Sequence, residues 1–378
     1  MAISFRFARA DEYSRLAQFL DEFWAKDHAY CRMRDLFEWT FKRPGHWEAD
    51  QCSFAVAEDG DTLAGILGGI PFTFNSFGKT SRGVWIVNYV IRPDHRKGTL
   101  ALQLLGMFRR PEFNPVIAFG ITQATTVIYR VLRGEVLPEI PRHFLVLPEA
   151  QDRMTNLLQV AHPDWTPEHA ASLASSFAQP LSGVEASVQA YPELPSQWDE
   201  VDWPAIAETT IGVVRDADFM NWRYRNHPRF RYQFLSVPDG KRSGLAVWRL
   251  ETIRRQTDHG REDIDRIGRL VEFLPTSEEN ARSLFSAFVT DLRRSGALGA
   301  DYYGFHGQTR LWLRDFGFTL TSAHAEGGQI PTRFQPLDGK GGGILSAMFF
   351  KDDAPRCWEA DNCPWYWTKS DSDQDRPN

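Results

Sequence analysis

The sequence predicts two tandem α/β domains that share one order of elements. Three observations predict this. A length of 378 residues is more than one core usually organises. A Trp-centred motif occurs twice, and each half holds a strand that ends at a proline and delivers a helix.

The repeat is legible along the chain. Asp35-Leu-Phe-Glu-Trp39-Thr-Phe41 precedes Pro44, and Asp218-Phe-Met-Asn-Trp222-Arg-Tyr224 precedes Pro228, with Asp, Trp and an aromatic residue at identical spacing. Each motif is followed by an alternating apolar run ending in Asp-Gly, Phe54 to Gly60 and Phe234 to Gly240. That dipeptide supplies the positive φ a hairpin turn needs. A strand over Val84 to Ile91 leads to a helix with Leu100, Leu104, Leu105 and Phe108 on one face. In the second half, Arg269 to Leu274 leads to a helix with Ala281, Leu284, Phe285 and Phe288. A short strand (Val116 to Gly120; Asp301 to Phe305) and a helix closed near Gly134 or Gly317 complete each half. Motif and order matching together over ~100 residues indicate an internal duplication.

The boundaries expected are 1–150 for the first domain and 206–378 for the second. Residues 151–205 read as a connecting segment that packs partly on the domains, with one amphipathic stretch, Glu168 to Phe177. Gly339-Lys-Gly-Gly-Gly343 reads as a loop before a last strand, Ile344 to Phe350. Ser370 to Asn378 reads as a mobile acidic tail, because Asp371-x-Asp373-x-Asp375 starts like a calcium loop but lacks its later ligands.

Composition narrows the class. With 42% hydrophobic and 24% charged residues, 27 Phe and 13 Trp, the chain has apolar material for two cores and a cleft. A net charge of −6 argues against nucleic acid as partner. No basic start precedes an apolar run, and no stretch approaches the ~18 apolar residues of a membrane span. Cys31, Cys52, Cys357 and Cys363 form no close pair, so neither a zinc site nor a disulfide framework is indicated. A cytoplasmic protein with reduced thiols, no metal and no membrane partner is the expectation.

The most informative segment is Trp85-Ile-Val-Asn-Tyr-Val-Ile-Arg-Pro93-Asp-His-Arg96-Lys97-Gly98-Thr99-Leu-Ala101. An apolar strand stops at proline, a basic turn follows, and a helix begins near Thr99. Amides, helix dipole and cations together suit a pyrophosphate. A solvated basic turn capping an ordinary helix fits the same residues.

Across residues 1–150, the order β-α-α-β-β-β-α-β-α-β resembles the GNAT N-acetyltransferases, whose CoA loop, Arg/Gln-x-x-Gly-x-Gly/Ala, follows a Val-x-Pro strand end. Here Ile91-Arg-Pro93 precedes Arg96-Lys-Gly-Thr99-Leu-Ala101; Arg96 and Ala101 match, Thr99 replaces the first glycine, and Gly98 stands one place early. The resemblance implies two mixed, mostly antiparallel twisted sheets flanked by helices, and acetyl-CoA as acyl donor. It implies Val90, Ile91, Arg92, Arg96, Lys97, Gly98, Thr99, Leu100 and Ala101 as its contacts. The backbone near Val90 to Arg92 would then polarise the thioester, and Tyr129, before Gly134, would protonate the leaving thiolate. Tyr129 also fits an apolar stripe with Ile128 and Leu132 as a core residue.

The acceptor implied is the amine of a small molecule such as an amino sugar. The Trp repeats and the Trp365-Tyr-Trp367 tail resemble a bacterial tandem subgroup associated with surface-polysaccharide biosynthesis. For the general base, Glu38 is the candidate, and a solvated surface carboxylate is the plainer reading of it. Trp39 and Asn88 are the expected substrate contacts. The second copy reads Phe273-Leu-Pro275-Thr-Ser277-Glu278-Glu279-Asn-Ala281, with carboxylates where the cations stood, so only the first copy is expected to hold CoA. A non-catalytic GNAT-like binding protein and an aminoacyl-tRNA-dependent transferase are the competing readings.

Overall fold

Strand pairing ties the two halves together more tightly than their sequence boundaries suggest. The computed structural model describes residues 3–43, 45–181, 201–239 and 242–377. In chain order the first half holds β1 (Ser4–Arg9), α1 (Tyr13–Phe23), α2 (Ala29–Arg32), α3 (Arg34–Phe41), β2 (Gln51–Asp59), β3 (Thr62–Ser76) and β4 (Lys79–Ile91). It continues with α4 (Leu100–Gly106), β5 (Val116–Ile121), α5 (Thr126–Val131), β6 (Glu135–Leu137) and β7 (Arg142–Val146). Helices α6 (Gln151–Ala161) and α7 (Pro167–Phe177) follow. The second half runs through α8 (Trp203–Thr209), β8 (Ile211–Val213), α9 (Ala217–Met220), β9 (Gln233–Asp239), β10 (Arg242–Thr257), β11 (Gly260–Leu274) and α10 (Glu278–Arg294). It closes with β12 (Gly299–Tyr303), α11 (Gly307–Asp315), β13 (Thr319–Leu320), β14 (Arg333–Phe334), β15 (Leu337–Asp338), β16 (Leu345–Phe349) and β17 (Trp365–Tyr366).

The two large sheets have the same order. One runs β1-β2-β3-β4-β5-β16-β6 and the other β13-β7-β12-β11-β10-β9. In each, a central pair is parallel (β4 with β5, β11 with β12) while its neighbours are antiparallel. The correspondence shows an exchange. Strand β7, from residues 1–150, pairs with β12, and β16, from residues 206–378, pairs with β5 and β6. The first sheet takes β8 and β17 as well, since β8 pairs with β3 and β17 with β8, so both sheets draw strands from across the expected boundary.

The repeated Trp motifs meet each other. Trp39 and Trp222 stack with ring centroids 4.9 Å apart. Trp39 Nε1 donates to the Trp222 carbonyl at 3.2 Å and Trp222 Nε1 to the Trp39 carbonyl at 3.4 Å. A reciprocal pair of bonds marks a local two-fold relation, as expected of a duplication.

Three apolar clusters hold the layers. Helix α4 covers one face of the first sheet with Leu100, Leu104 and Leu105, and Phe108, two residues past its end, joins the same cluster. A central cluster unites both halves, from Phe37, Phe54 and Trp85 to Tyr224, Trp365 and Trp367. Helix α10 packs Ala281, Leu284, Phe285 and Phe288 on the second sheet, where α6 and α7 add Met154, Leu157, Leu173 and Phe177. The connecting segment is therefore part of that core where it is described. Among the described residues, no helix is long and apolar enough to cross a membrane. The four cysteines are free thiols.

Two expectations need correction. Helix α5 ends at Val131, and the left-handed residue beyond it is Arg133, at φ 61°, not Gly134, which is required because a Cβ there would meet the Phe349 ring at 2.8 Å. More consequentially, the acidic tail is buried. Asp371 lies 2.6 Å from Arg215, Asp375 lies 2.6 Å from Arg249, and the carbonyls of Ser370, Ser372 and Asp375 accept from Arg223. These carboxylates enter the interior because buried guanidinium groups are already there to pair with them.

Candidate active site

Strands β4 and β5 pair only from Val84–Ile86 to Val116–Ala118. Beyond that they part. The register of β4 on β3 slips between Val87↔Gly68 and Val90↔Ile66, so β4 carries one residue more than its partner, and Asn88 in this bulge has φ 50°. A bulge bends the strand that carries it. On its other edge β5 is held by β16, through Phe119↔Ser346 and Ile121↔Leu345. The divergence opens a cavity of about 240 Å³.

Asn88 and Tyr89 line it from β4, Gly120 and Thr122 from the end of β5, and Tyr129 from α5. Asp373, Gln374 and Arg376 of the buried tail form its floor. Asn88 is 7% exposed, and its Oδ1 is buried without a hydrogen-bond partner. An orphaned buried acceptor is costly unless a ligand supplies the donor. Tyr129 is 5% exposed, with Phe349 against its ring. Burial pushes its phenol pKa up, so it stays protonated at neutral pH. The Tyr89 hydroxyl donates to the Ala101 carbonyl, which ties the bulge to the start of α4. Gly120, at φ 81°, leaves room for Gln374, whose Nε2 would lie 2.4 Å from a Cβ there.

The basic turn lies past this cavity, at the end of β4. Arg96, Lys97, Gly98 and Thr99 are exposed, and Gly98 has φ 105° with open space around it. Arg96 Nε donates to the Ile91 carbonyl at 3.1 Å, and Thr99 begins α4 without using its side chain as a cap. Arg92 differs from expectation. Its guanidinium is bidentate to Asp94 at 2.7 and 2.9 Å through Nε and Nη2, and its amide donates to Ala64 at 2.9 Å. Val90 and Leu100 are buried, while Ile91 and Ala101 are half-buried.

Two expected site residues stand elsewhere. Glu38 does not line the cavity. Lys42 at 2.8 Å and Arg34 at 3.1 Å hold its carboxylate, and the Lys42 hydrogen bond lowers its pKa. It forms ion pairs with these two cations on its own helix and its C-cap. Trp39 packs on Trp222 and His227 and does not line the cavity, though it lines a small adjoining void with Asp373 and Arg376. Conversely, Asp373, Gln374 and Arg376 were missed, having been assigned to a mobile tail. Their signal was the Thr368-Lys-Ser-Asp371 spacing. Thr368 and Asp371 form a reciprocal capping box, which marks an ordered turn.

The second copy repeats the geometry but closes it. Strand β11 slips against β10 between Trp248↔Leu270 and Val247↔Glu272, the counterpart of the bulge at Asn88. Beyond Leu270↔Tyr302 the equivalent gap holds Tyr366, whose hydroxyl accepts from the Phe273 amide at 3.0 Å and donates to the Phe273 carbonyl at 3.3 Å. At the helix start, Ser277 caps Asn280, and Asp239 accepts from the hydroxyls of Thr276 and Ser277. The gap is filled, and the turn already holds a carboxylate.

No protein-family model and no curated protein matches the chain. Solved structures do. A GCN5-related N-acetyltransferase from Anabaena variabilis superposes with a TM-score of 0.55 at 13% identity, over 91% of this chain and 72% of that one. One from Kribbella flavida gives 0.51 at 14% identity, over 92% and 70%. Saccharomyces cerevisiae N-myristoyltransferase, solved with myristoyl-CoA and inhibitors bound, gives 0.55 at 13% identity, over 97% and 86%. The likeness at such identities is one of fold: the chain carries two GNAT-like sheets in tandem, each flanked by helices.

Proposed function

We propose that the first copy binds an acyl-CoA, acetyl-CoA in the simplest case, and transfers its acyl group to the amine of a small molecule such as an amino sugar. The observation that carries this reading is the contrast between copies: the gap between β4 and β5 is open beside Asn88 and Tyr129, while its counterpart is filled by Tyr366. In this reading Lys97, Gly98, Thr99 and Arg96 receive the pyrophosphate, and the unpaired edge of β4 beyond Ile86 takes the thioester. The amine nitrogen attacks the thioester carbon, the C–S bond breaks, Tyr129 gives its proton to the CoA thiolate, and the acylated nitrogen returns its surplus proton to the Tyr129 oxygen. Asp373, which alone among the described residues brings a carboxylate to this cavity, accepts the proton of the acceptor ammonium. The Asn88 Oδ1 accepts an N–H of the bound amine.

Calorimetric titration of acetyl-CoA into the wild type and an Arg96→Glu/Lys97→Glu variant tests the donor half. Reversing two cations should weaken binding by roughly a hundredfold or more, since each charge-assisted phosphate contact contributes about 1.5–3 kcal/mol. Absence of binding to the wild type at millimolar acetyl-CoA, or equal affinity in the variant, would sink the assignment.

A further inference from the structure

Gln374 and Arg376 line two cavities at once. On one side is the opening between β4 and β5, and on the other a second space of about 240 Å³. The walls of the second are cationic: Arg249, Arg269, Arg333, Lys369 and Arg376 face one carboxylate, Glu251. Much of this charge is answered from behind. Arg249 pairs with Asp375 at 2.6 Å and Glu251 at 2.9 Å, Arg269 with Glu251 at 2.8 Å and with Asp301, and Arg376 with Asp373 at 3.0 Å. Lys369 and Arg333 have no carboxylate at ion-pair distance among the described residues.

Lys369 is the informative one. Its ammonium lies 4.9 Å from the centre of the Tyr303 ring, which compensates only part of its lost hydration. Burial, and then the neighbouring Arg269, push its pKa down to about 8. Asp301, Asp375 and Glu251 pull it the other way, each from beyond ion-pair distance. Gly342 and Gly343 form part of the wall, so backbone rather than side chain faces the space there. Arg333, exposed at the rim, adds a second uncommitted donor fork.

We propose that this cavity binds an oxyanion carried by the acceptor, a phosphate or carboxylate group, so that the acceptor is an anionic amine such as an acidic or phosphorylated amino sugar. Naming the ligand as the acceptor rests on the acyl-transfer reading; the anion site itself rests on Lys369 and Arg333. Such a site holds the charged end of the molecule beyond Gln374 and Arg376 while its amine reaches the thioester through the shared wall.

The test titrates inorganic phosphate, and separately acetate, into the full chain saturated with CoA, which keeps phosphate out of the pyrophosphate turn. Thermal unfolding reports binding through ligand linkage. The expected result is a rise in Tm with one of the two anions, weakened at least tenfold in apparent affinity by Lys369→Met and by Arg333→Gln, with CoA affinity unchanged in both. A response to phosphate identifies a phosphate ester, and a response to acetate a carboxylate. Arg333→Gln keeps the test alive should Lys369→Met fail to fold, because Arg333 is exposed. An absent response in the wild type, or the same response in both variants, overturns the site. Loss of CoA affinity in Lys369→Met overturns it as well, by showing that CoA occupies the cavity. Should CoA itself not bind, the acyl-transfer reading fails, and phosphate titrated into the Arg96→Glu/Lys97→Glu variant still reads the anion site alone.

Discussion

Replacing Asp375 with Asn lowers the unfolding free energy by about 3–5 kcal/mol, the usual cost of leaving a buried charge without its partner. The substitution is isosteric, so no cavity contributes. Asp375 Oδ1 lies 2.6 Å from Arg249 Nη2, and its Oδ2 accepts from the Tyr232 hydroxyl at 2.7 Å. Without that carboxylate, Arg249 keeps only Glu251, which it already shares with Arg269. Denaturant unfolding followed by tryptophan fluorescence measures the loss. The control is Asp353→Asn, at an exposed carboxylate, for which a change within about 0.5 kcal/mol is expected. A mobile acidic tail, as read from sequence alone, predicts equal stability for both variants. Because the same tail carries Asp373, Gln374 and Arg376 to the cavity, transfer activity should fall along with stability in Asp375→Asn.

Tyr129→Phe should lower kcat for acyl transfer by roughly 10²–10⁴-fold, the range for loss of a positioned general acid, while CoA affinity stays unchanged. The ring packs against Phe349 and is retained in the variant; only the hydroxyl goes. Its elevated pKa, caused by burial, makes the neutral phenol the form present throughout the working range. Asp373→Asn should also lower kcat, but with a different pH dependence. As pH rises, more acceptor amine is neutral before it binds, so the deficit of Asp373→Asn shrinks, whereas that of Tyr129→Phe persists. Steady-state kinetics with thiol detection across pH separates the two roles. A Tyr129→Phe enzyme with wild-type kcat would return that residue to the core.

The contrast between what periodicity conveys and what it cannot is clear in particular residues. Leu100, Leu104 and Leu105 mark one helix face, and Ala281, Leu284, Phe285 and Phe288 another, because burial on a sheet selects apolar residues every third or fourth position. The duplicated Asp-x-x-x-Trp motif was legible, though not the reason for its match, which is that Trp39 and Trp222 hydrogen-bond each other across a local two-fold. Strand exchange was not legible. An apolar run such as Arg142–Val146 announces a strand without saying which sheet will pair with it, since pairing is decided by partners far away in sequence. The tail misled for the same reason. Alternating Asp residues look solvated until Arg215, Arg223 and Arg249, between 126 and 156 positions before the tail residues they bond, are brought alongside. Arg92 shows the converse, a cation correctly placed beside the turn but already claimed by Asp94 two residues on.

Hydrogen exchange with and without saturating acetyl-CoA tests the central claim most directly, because it reports both halves of the chain in one experiment. The account predicts slowed exchange over residues 88–101 and 120–129, around Asn88, the basic turn and Tyr129, with no change over residues 273–281 at the filled counterpart. Protection at 273–281, or no protection in the first copy at saturation, would contradict it.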